Sequence, residues 1–300
     1  MGTLDRVVAQ VLPYVPRKWV GRVSSRYIAG EDLESALAAV AQLNTSGTRG
    51  TVDILGEFIG SLDEAEQAKC EYMQLLQALA ARRLDSQASV KLTQLGLKLD
   101  PDVCTGHVRE LVREAEKQRS LVTLDMEDSS CTDATLDLFT VLRRESAEVG
   151  AVLQACLRRS AADLERLLAL EPNIRVCKGI YIEPPELAYT NRDDIRRSFV
   201  ALVERLLTAR GFVGIATHDE VLVDRCCELV RKHGADASRF EFQMLMGVRE
   251  ELRRRLRDAG YPMRVYVPYG RHWYAYSMRR LKENPAIAGH VLRNLFERSS

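Results

Sequence analysis

No apolar run in the 300-residue sequence approaches the roughly 20 residues that a membrane-spanning helix requires. The first residues also lack the continuous apolar core of a secretory signal, because Asp5 and other polar positions interrupt them. The expectation is a cytoplasmic protein, with peripheral contact to the inner membrane as the alternative. Cysteine is sparse and unpatterned. There are seven, only Cys226 and Cys227 are adjacent, and no pair has zinc-site spacing. Reduced thiols and no metal are expected. Excess charge of either sign is missing, with 43 Lys plus Arg against 42 Asp plus Glu, so the overall field gives no reason to expect a nucleic-acid partner. Long Pro/Gly/Ser tracts are missing as well, which argues against a linker to a second large domain. Asn44-Thr45-Ser46 matches a glycosylation sequon, but without a secretory signal it is a chance match.

The apolar content, 46%, can bury a large core, and the length suits either one α/β barrel or two smaller domains. The first 45 residues read as helical, ending in Leu33, Leu37, Val40 and Leu43 before a stop at Gly47. From Thr51 the pattern becomes short β-rich runs separated by longer helical ones, the pattern of repeated βα units. Strands are predicted at 51–56, 89–93, 121–125, 151–155, 174–178, 212–217, 240–245 and 263–267. Eight such strands at this spacing point to a (βα)8 TIM-like barrel. The division is an N-terminal helical arm, 1–48, and a barrel, 49–300, with a final helix over the barrel mouth. Phe199, Leu202, Val203, Leu206 and Leu207 mark one core-facing helix ending at Gly211, and Val248, Leu252 and Leu256 another ending at Gly260.

In such a barrel the chemistry gathers at the C-terminal ends of the strands. Those ends are unusually polar here: Glu57, Lys91, Asp125, Glu127, Gln154, Arg175, Lys178, Tyr181, Thr217, His218, Gln243 and Tyr266. Polar groups buried in apolar strands cost stability unless paired. Any one of them is as readily a structural ion pair as a functional group, and it is their shared placement that favours function. After the last strand, a helical projection puts Tyr274, Met278 and Leu281 on one side and Tyr276, Arg280 and Glu283 on the other, with Arg279 on the flank. Two arginines on a helix are commonly solvated surface. Guanidinium forks at a barrel mouth are also the preferred clamp for a carboxylate.

The stretch Tyr276 to Glu283 resembles the YxxRRxxE signature of the proline dehydrogenase family. The resemblance extends through Ser89-Val90-Lys91-Leu92-Thr93, Leu124-Asp125-Met126-Glu127, Leu153-Gln154-Ala155, Arg175-Val176-Cys177-Lys178-Gly179-Ile180-Tyr181, Ala216-Thr217-His218-Asp219, Glu241-Phe242-Gln243-Met244-Leu245 and Tyr266-Val267-Pro268-Tyr269-Gly270. It covers about residues 30 to 290. It implies FAD, or alternatively FMN, bound without a Rossmann domain, in keeping with the lack of a G-x-G-x-x-G turn or P-loop. It implies oxidation of L-proline to Δ1-pyrroline-5-carboxylate by hydride transfer to flavin N5, the first step of proline catabolism to glutamate. Electrons would pass to a membrane quinone, and the product to a separate pyrroline-5-carboxylate dehydrogenase.

The resemblance also implies roles. Lys91, Arg279 and Arg280 would hold the substrate carboxylate, with Asp125 bonded to Lys91; Tyr181, Leu245, Tyr266 and Tyr276 would wall the proline ring. Arg175 would approach flavin N5. Asp125, Val152, Gln154, Lys178, Gly179, Thr217, His218, Gln243 and Glu283 would contact other parts of the flavin, and Glu57 would pair with Arg279 as a gate. The chain departs from the family pattern at Cys156, where an aromatic is common, at Ile182, where some members have a tryptophan, and at Asp219, where asparagine is common. Three other functions fit parts of the pattern: a hydroxyproline dehydrogenase, an aldolase-like barrel with Lys91 or Lys178 as Schiff-base lysine, and a catalytically silent amino-acid-binding barrel. Oligomeric state is open.

Overall fold

Along the first strand, β1 (Arg49–Ile54), Arg49, Thr51 and Asp53 alternate with Gly50, Val52 and Ile54. Successive strand residues point to opposite faces, so the polar set and the apolar set are separated. In the computed structural model, which describes residues 26–56, 59–274 and 276–278, this strand opens a barrel. The others are β2 (Ser86–Val90), β3 (Val122–Leu124), β4 (Val149–Gln154), β5 (Asn173–Cys177), β6 (Phe212–Ala216), β7 (Phe240–Leu245) and β8 (Met263–Tyr269). All pair in parallel in chain order, and β8 closes on β1. The expected (βα)8 barrel is what forms.

Helix α1 (Leu33–Asn44) precedes β1, and α2 (Leu62–Ala81), α3 (Pro101–Gln118), α4 (Thr132–Glu145), α5 (Ser160–Leu167), α6 (Arg192–Thr208), α7 (Glu220–Lys232) and α8 (Glu250–Asp258) follow β1 to β7. Side-chain caps start several of them: Asp32 for α1, Ser61 for α2, Asp100 with Pro101 for α3 and Asn191 for α6. The predicted stripe of α6, Phe199 through Leu207, is buried. Each such side chain contributes about 1.5 to 3 kcal/mol by leaving water. Helix α1 lies on β1 and β8, covering the seam where the barrel closes, with Ala36, Leu37 and Val40 buried. Backbone bonds from Ala29 N to Pro268 O and from Gly270 N to Gly30 O fix the preceding segment to the end of β8.

Register shows which residues face inward together. Thr51 pairs with Gln87 and Tyr266, Ser89 with Thr123, Val152 with Arg175, and Gln154 with Cys177. The barrel interior is therefore largely polar, and its hydrophobic packing lies between the outward strand faces and the helices. Val52, Val90, Leu124, Val176, Ile215 and Phe242, all fully buried, belong to that outer core.

Two predicted elements shift. The second strand, expected at 89–93, ends at Val90; the chain then turns, with Gln94 N bonded to Lys91 O and Leu95 N to Leu92 O. Leu92 and Leu95 are buried in that turn, where they imitate a strand's apolar pattern. Val248, expected on the helix with Leu252 and Leu256, precedes α8 in a turn to Leu245 O, because Arg249 takes a left-handed conformation at φ 51°.

Candidate active site

The inward polar residues open at the C-terminal mouth into a cavity of about 800 Å³. Lys91 and Asp125 follow β2 and β3; Val152 and Gln154 come from β4, and Arg175 from β5. Lys178, Gly179 and Tyr181 line it from the loop after β5, Thr217 and His218 from the end of β6. Gln243 and Leu245 of β7, Tyr266 of β8 and Tyr276 beyond it complete the set of predicted residues on its wall. Glu57, Arg279, Arg280 and Glu283 lie outside the described residues. A second cavity, about 630 Å³, lies outside the barrel between α5 and α6, where Arg205 pairs with Glu165 and Arg197 with Asp194.

Asp125 is the hub on one side. Its Oδ1 accepts from Arg175 Nη1 at 2.5 Å and its Oδ2 from the Tyr266 hydroxyl at 2.8 Å. Burial, then the neighbouring charge of Asp125, pushes the Tyr266 hydroxyl well above its ordinary pKa, so it remains a donor. Arg175 Nε also donates to Gln243 Oε1, 2.8 Å away, and the guanidinium centre lies 5.4 Å from the Tyr266 ring centroid. Lys91 was expected to bond Asp125. Among the described residues it makes an ion pair at 2.9 Å with Asp53 of β1, itself approached by the Tyr72 hydroxyl of α2 at 3.4 Å. Asp53 is 1% exposed, so this ammonium is held by a carboxylate with almost no contact with water.

Glu127 ties neighbouring loops together. It accepts from Thr93 N at 3.1 Å and Thr93 Oγ1 at 2.5 Å, while its backbone carbonyl receives Gln154 Nε2 at 2.9 Å. Burial raises its pKa despite these bonds. Leu245 N donates to His218 Nε2 at 2.9 Å, which ties the ring to the end of β7. Gly179 has φ 94°, and a Cβ there would lie 2.2 Å from Cys156 Sγ; only glycine fits this turn.

At the rim, Asp219 collects Arg196 at 2.9 Å and Lys178 and Arg192 at 3.4 Å each. Burial alone would raise its pKa, but the bond to Arg196 and the charge of Lys178 prevail and hold it at about 2. Ile182, in the loop after β5, is fully exposed. Desolvation pushes the partly covered Cys177 thiol up to about 12 and the buried Cys156 thiol up to about 11, so neither is a ready nucleophile.

Sequence reasoning missed Asp53, Arg192 and Tyr27, which also line the cavity. Asp53 carried the same signal as its neighbours, a carboxylate in an apolar strand, but the predicted strand, 51–56, put it mid-strand, whereas it is next to last in β1. Tyr276 was assigned to the ligand side of the last helix. It lines the cavity and packs on Ile28 and Leu55.

A parallel eight-stranded barrel with convergent polar groups at its mouth defines a barrel enzyme of the kind whose loops carry the chemistry. The family model for proline dehydrogenase matches residues 36–293, and the chain belongs to that family. It is 39% identical over 273 residues to proline dehydrogenase 1 of Bacillus subtilis subsp. natto, covering 91% of this chain and 90% of that one. It is 37% identical over 286 residues to proline dehydrogenase of Deinococcus radiodurans, covering 94% and 92%. A crystal structure of proline utilization A from Bdellovibrio bacteriovorus, inactivated by N-propargylglycine, superposes with a TM-score of 0.85 at 26% identity; the match covers 93% of this chain and 36% of that longer one. Among the described residues, no helix is long and apolar enough to cross a membrane.

Proposed function

We propose that the protein oxidises L-proline to Δ1-pyrroline-5-carboxylate with a non-covalent flavin, FAD or alternatively FMN, and that a membrane quinone takes the electrons. The observation that most supports this is that 14 residues assigned by family resemblance, from loops and strands that are distant in sequence, line one cavity. Its donor set suits a flavin. Gln154, Thr217 and the cations Lys178 and Arg192 offer bonds to a polar, phosphate-bearing molecule, while Val152, Met244 and Leu245 offer apolar surface. The flavin, when bound, supplies the acceptor for the hydride leaving C5.

The chain's own residues do the positioning. Lys91, held by Asp53, with Arg279 and Arg280, would clamp the substrate carboxylate by charge-assisted hydrogen bonds. Tyr266, fixed by Asp125, and Tyr181 and Tyr276 would wall the ring, so that C5 is delivered in one orientation. Arg175, fixed by Asp125 and Gln243, would present its remaining N–H groups to the flavin ring. The substrate amine must be neutral before the hydride leaves, and the product departs for a separate pyrroline-5-carboxylate dehydrogenase. The Schiff-base alternative is disfavoured because Lys91 and Lys178 both sit against carboxylates instead of in apolar pockets.

The test is the visible spectrum of purified protein before and after anaerobic addition of proline. A flavin spectrum that bleaches is expected. A folded, colourless protein that takes up neither FAD nor FMN would rule the proposal out, and a flavin that proline does not bleach would favour the silent amino-acid-binding barrel.

A further inference from the structure

The barrel floor holds a carboxylate that the proposed chemistry does not use. Glu241, inward-facing on β7 and 1% exposed, accepts at Oε1 from Arg264 Nε, 2.5 Å away, and from Gln243 Nε2, 2.8 Å away. Its Oε2 lies 3.3 Å from Arg49 Nη1, and Arg264 Nη1 donates to the Gly50 carbonyl at 2.5 Å. A carboxylate anion accepts and does not donate; a guanidinium donates and does not accept. Gln243 stands between one of each. Its amide satisfies both neighbours only with the NH2 toward Glu241 and the carbonyl oxygen toward Arg175 Nε, 2.8 Å away. The flipped amide would set NH2 against guanidinium and oxygen against carboxylate, two repulsions in place of two charge-assisted bonds. Gly214 on β6 supplies an independent observation. A Cβ there would lie 2.4 Å from Gln243 Nε2, so the neighbouring strand leaves room for the amide nitrogen at this place.

We infer that Glu241 is a positioning residue: it fixes the direction of the hydrogen-bond chain Glu241, Gln243, Arg175, Asp125, Tyr266, and so the direction in which Arg175 presents its remaining N–H groups to the flavin, which rests on the flavin-dependent function proposed above. Arg264 and Arg49 keep the anion in place from below. The device acts through a neutral amide, so it transmits orientation from the floor to the mouth without bringing the charge of Glu241 to the site.

The experiment compares wild type, Glu241→Gln and Gly214→Ala, each reconstituted with FAD, by flavin midpoint potential, visible spectrum and rate of anaerobic bleaching by proline. Glu241→Gln puts a group that can also donate where only an acceptor stood, so the Gln243 amide is no longer forced. Gly214→Ala leaves every charge in place and displaces the amide by contact. Both should lower the potential, because a misdirected Arg175 stabilises the reduced, more anionic flavin less. Bleaching should slow about tenfold, the loss of one hydrogen bond to a charged group. Half-saturation by proline should move by less than about threefold, because the carboxylate clamp is elsewhere. Lowered melting temperature with wild-type potential and bleaching rate would make Glu241 merely structural and overturn the inference. If Glu241→Gln does not fold, Gly214→Ala alone decides. A wild type that holds no flavin would count against the proposed function, a result distinct from a wild-type potential in the variants.

Discussion

Tyr266, on the cavity wall, donates its hydroxyl to Asp125, 2.8 Å away, so that hydroxyl is already engaged. If the proline ring packs there, a 4-hydroxyl would be crowded and would lose water without gaining a partner, costing about 1 to 3 kcal/mol. Proline should be preferred over trans-4-hydroxyproline by roughly five- to hundred-fold in kcat/KM. Tyr266→Ser should lower activity on proline and narrow or reverse that preference; equal discrimination by both proteins would show that Tyr266 does not read C4. Asp53 gives a second expectation at this scale. Asp53→Asn removes the anion 2.9 Å from the Lys91 ammonium, so KM for proline should rise about tenfold with flavin retained. An unchanged KM in steady-state assays would show that Lys91 does not depend on Asp53.

At the scale of an element, Asp219 fastens the start of α6 to the end of β6 through Arg196 and Arg192. Its pKa is held at about 2 in the folded chain against an ordinary 3.8. A depressed carboxylate pKa contributes stability that is present above the unfolded value and lost as pH falls through the folded one. Wild type should therefore exceed Asp219→Asn by about 2 kcal/mol at neutral pH, with the gap closing between about pH 4 and pH 2. Denaturant melts across that range measure it, and a gap independent of pH would mean the ion pair is not its source. The helices were legible because their buried faces recur at helical spacing, as in α6, where burial and packing coincide. The strands were legible by their outward faces, while their polar inward faces looked like interruptions. Lys91, Asp125 and Gln154 stood out because each follows or ends an apolar run. Glu241 and Arg264 lie near the starts of their strands, and Asp53 in the middle of the predicted 51–56, away from the C-terminal ends where function was sought. Arg192 enters the site from the first residue of α6, after a loop whose course no spacing rule fixes.

Across the whole molecule, the seven cysteines give a measure of closure. Cys70 alone is exposed; Cys104, Cys131, Cys156, Cys226 and Cys227 are buried and Cys177 is partly covered in the cavity wall. Burial pushes Cys104 up to about 12 and Cys177 equally far. A thiol reagent at neutral pH should label one site rapidly in the native protein and all seven after denaturation. Rapid labelling of several native thiols would contradict the closed barrel. That closure also dictates an order of events during translation. Strand β1 and helix α1 leave the ribosome early, but the strand that both pack against, β8, begins only at Met263. The buried face of α1, with Leu37 and Val40, has β1 but not β8 to pack on while more than two hundred residues are made. A nascent chain stalled before Met263 is thus a natural client for chaperones that bind exposed apolar helices, and release should follow only once β8 emerges and the seam shuts.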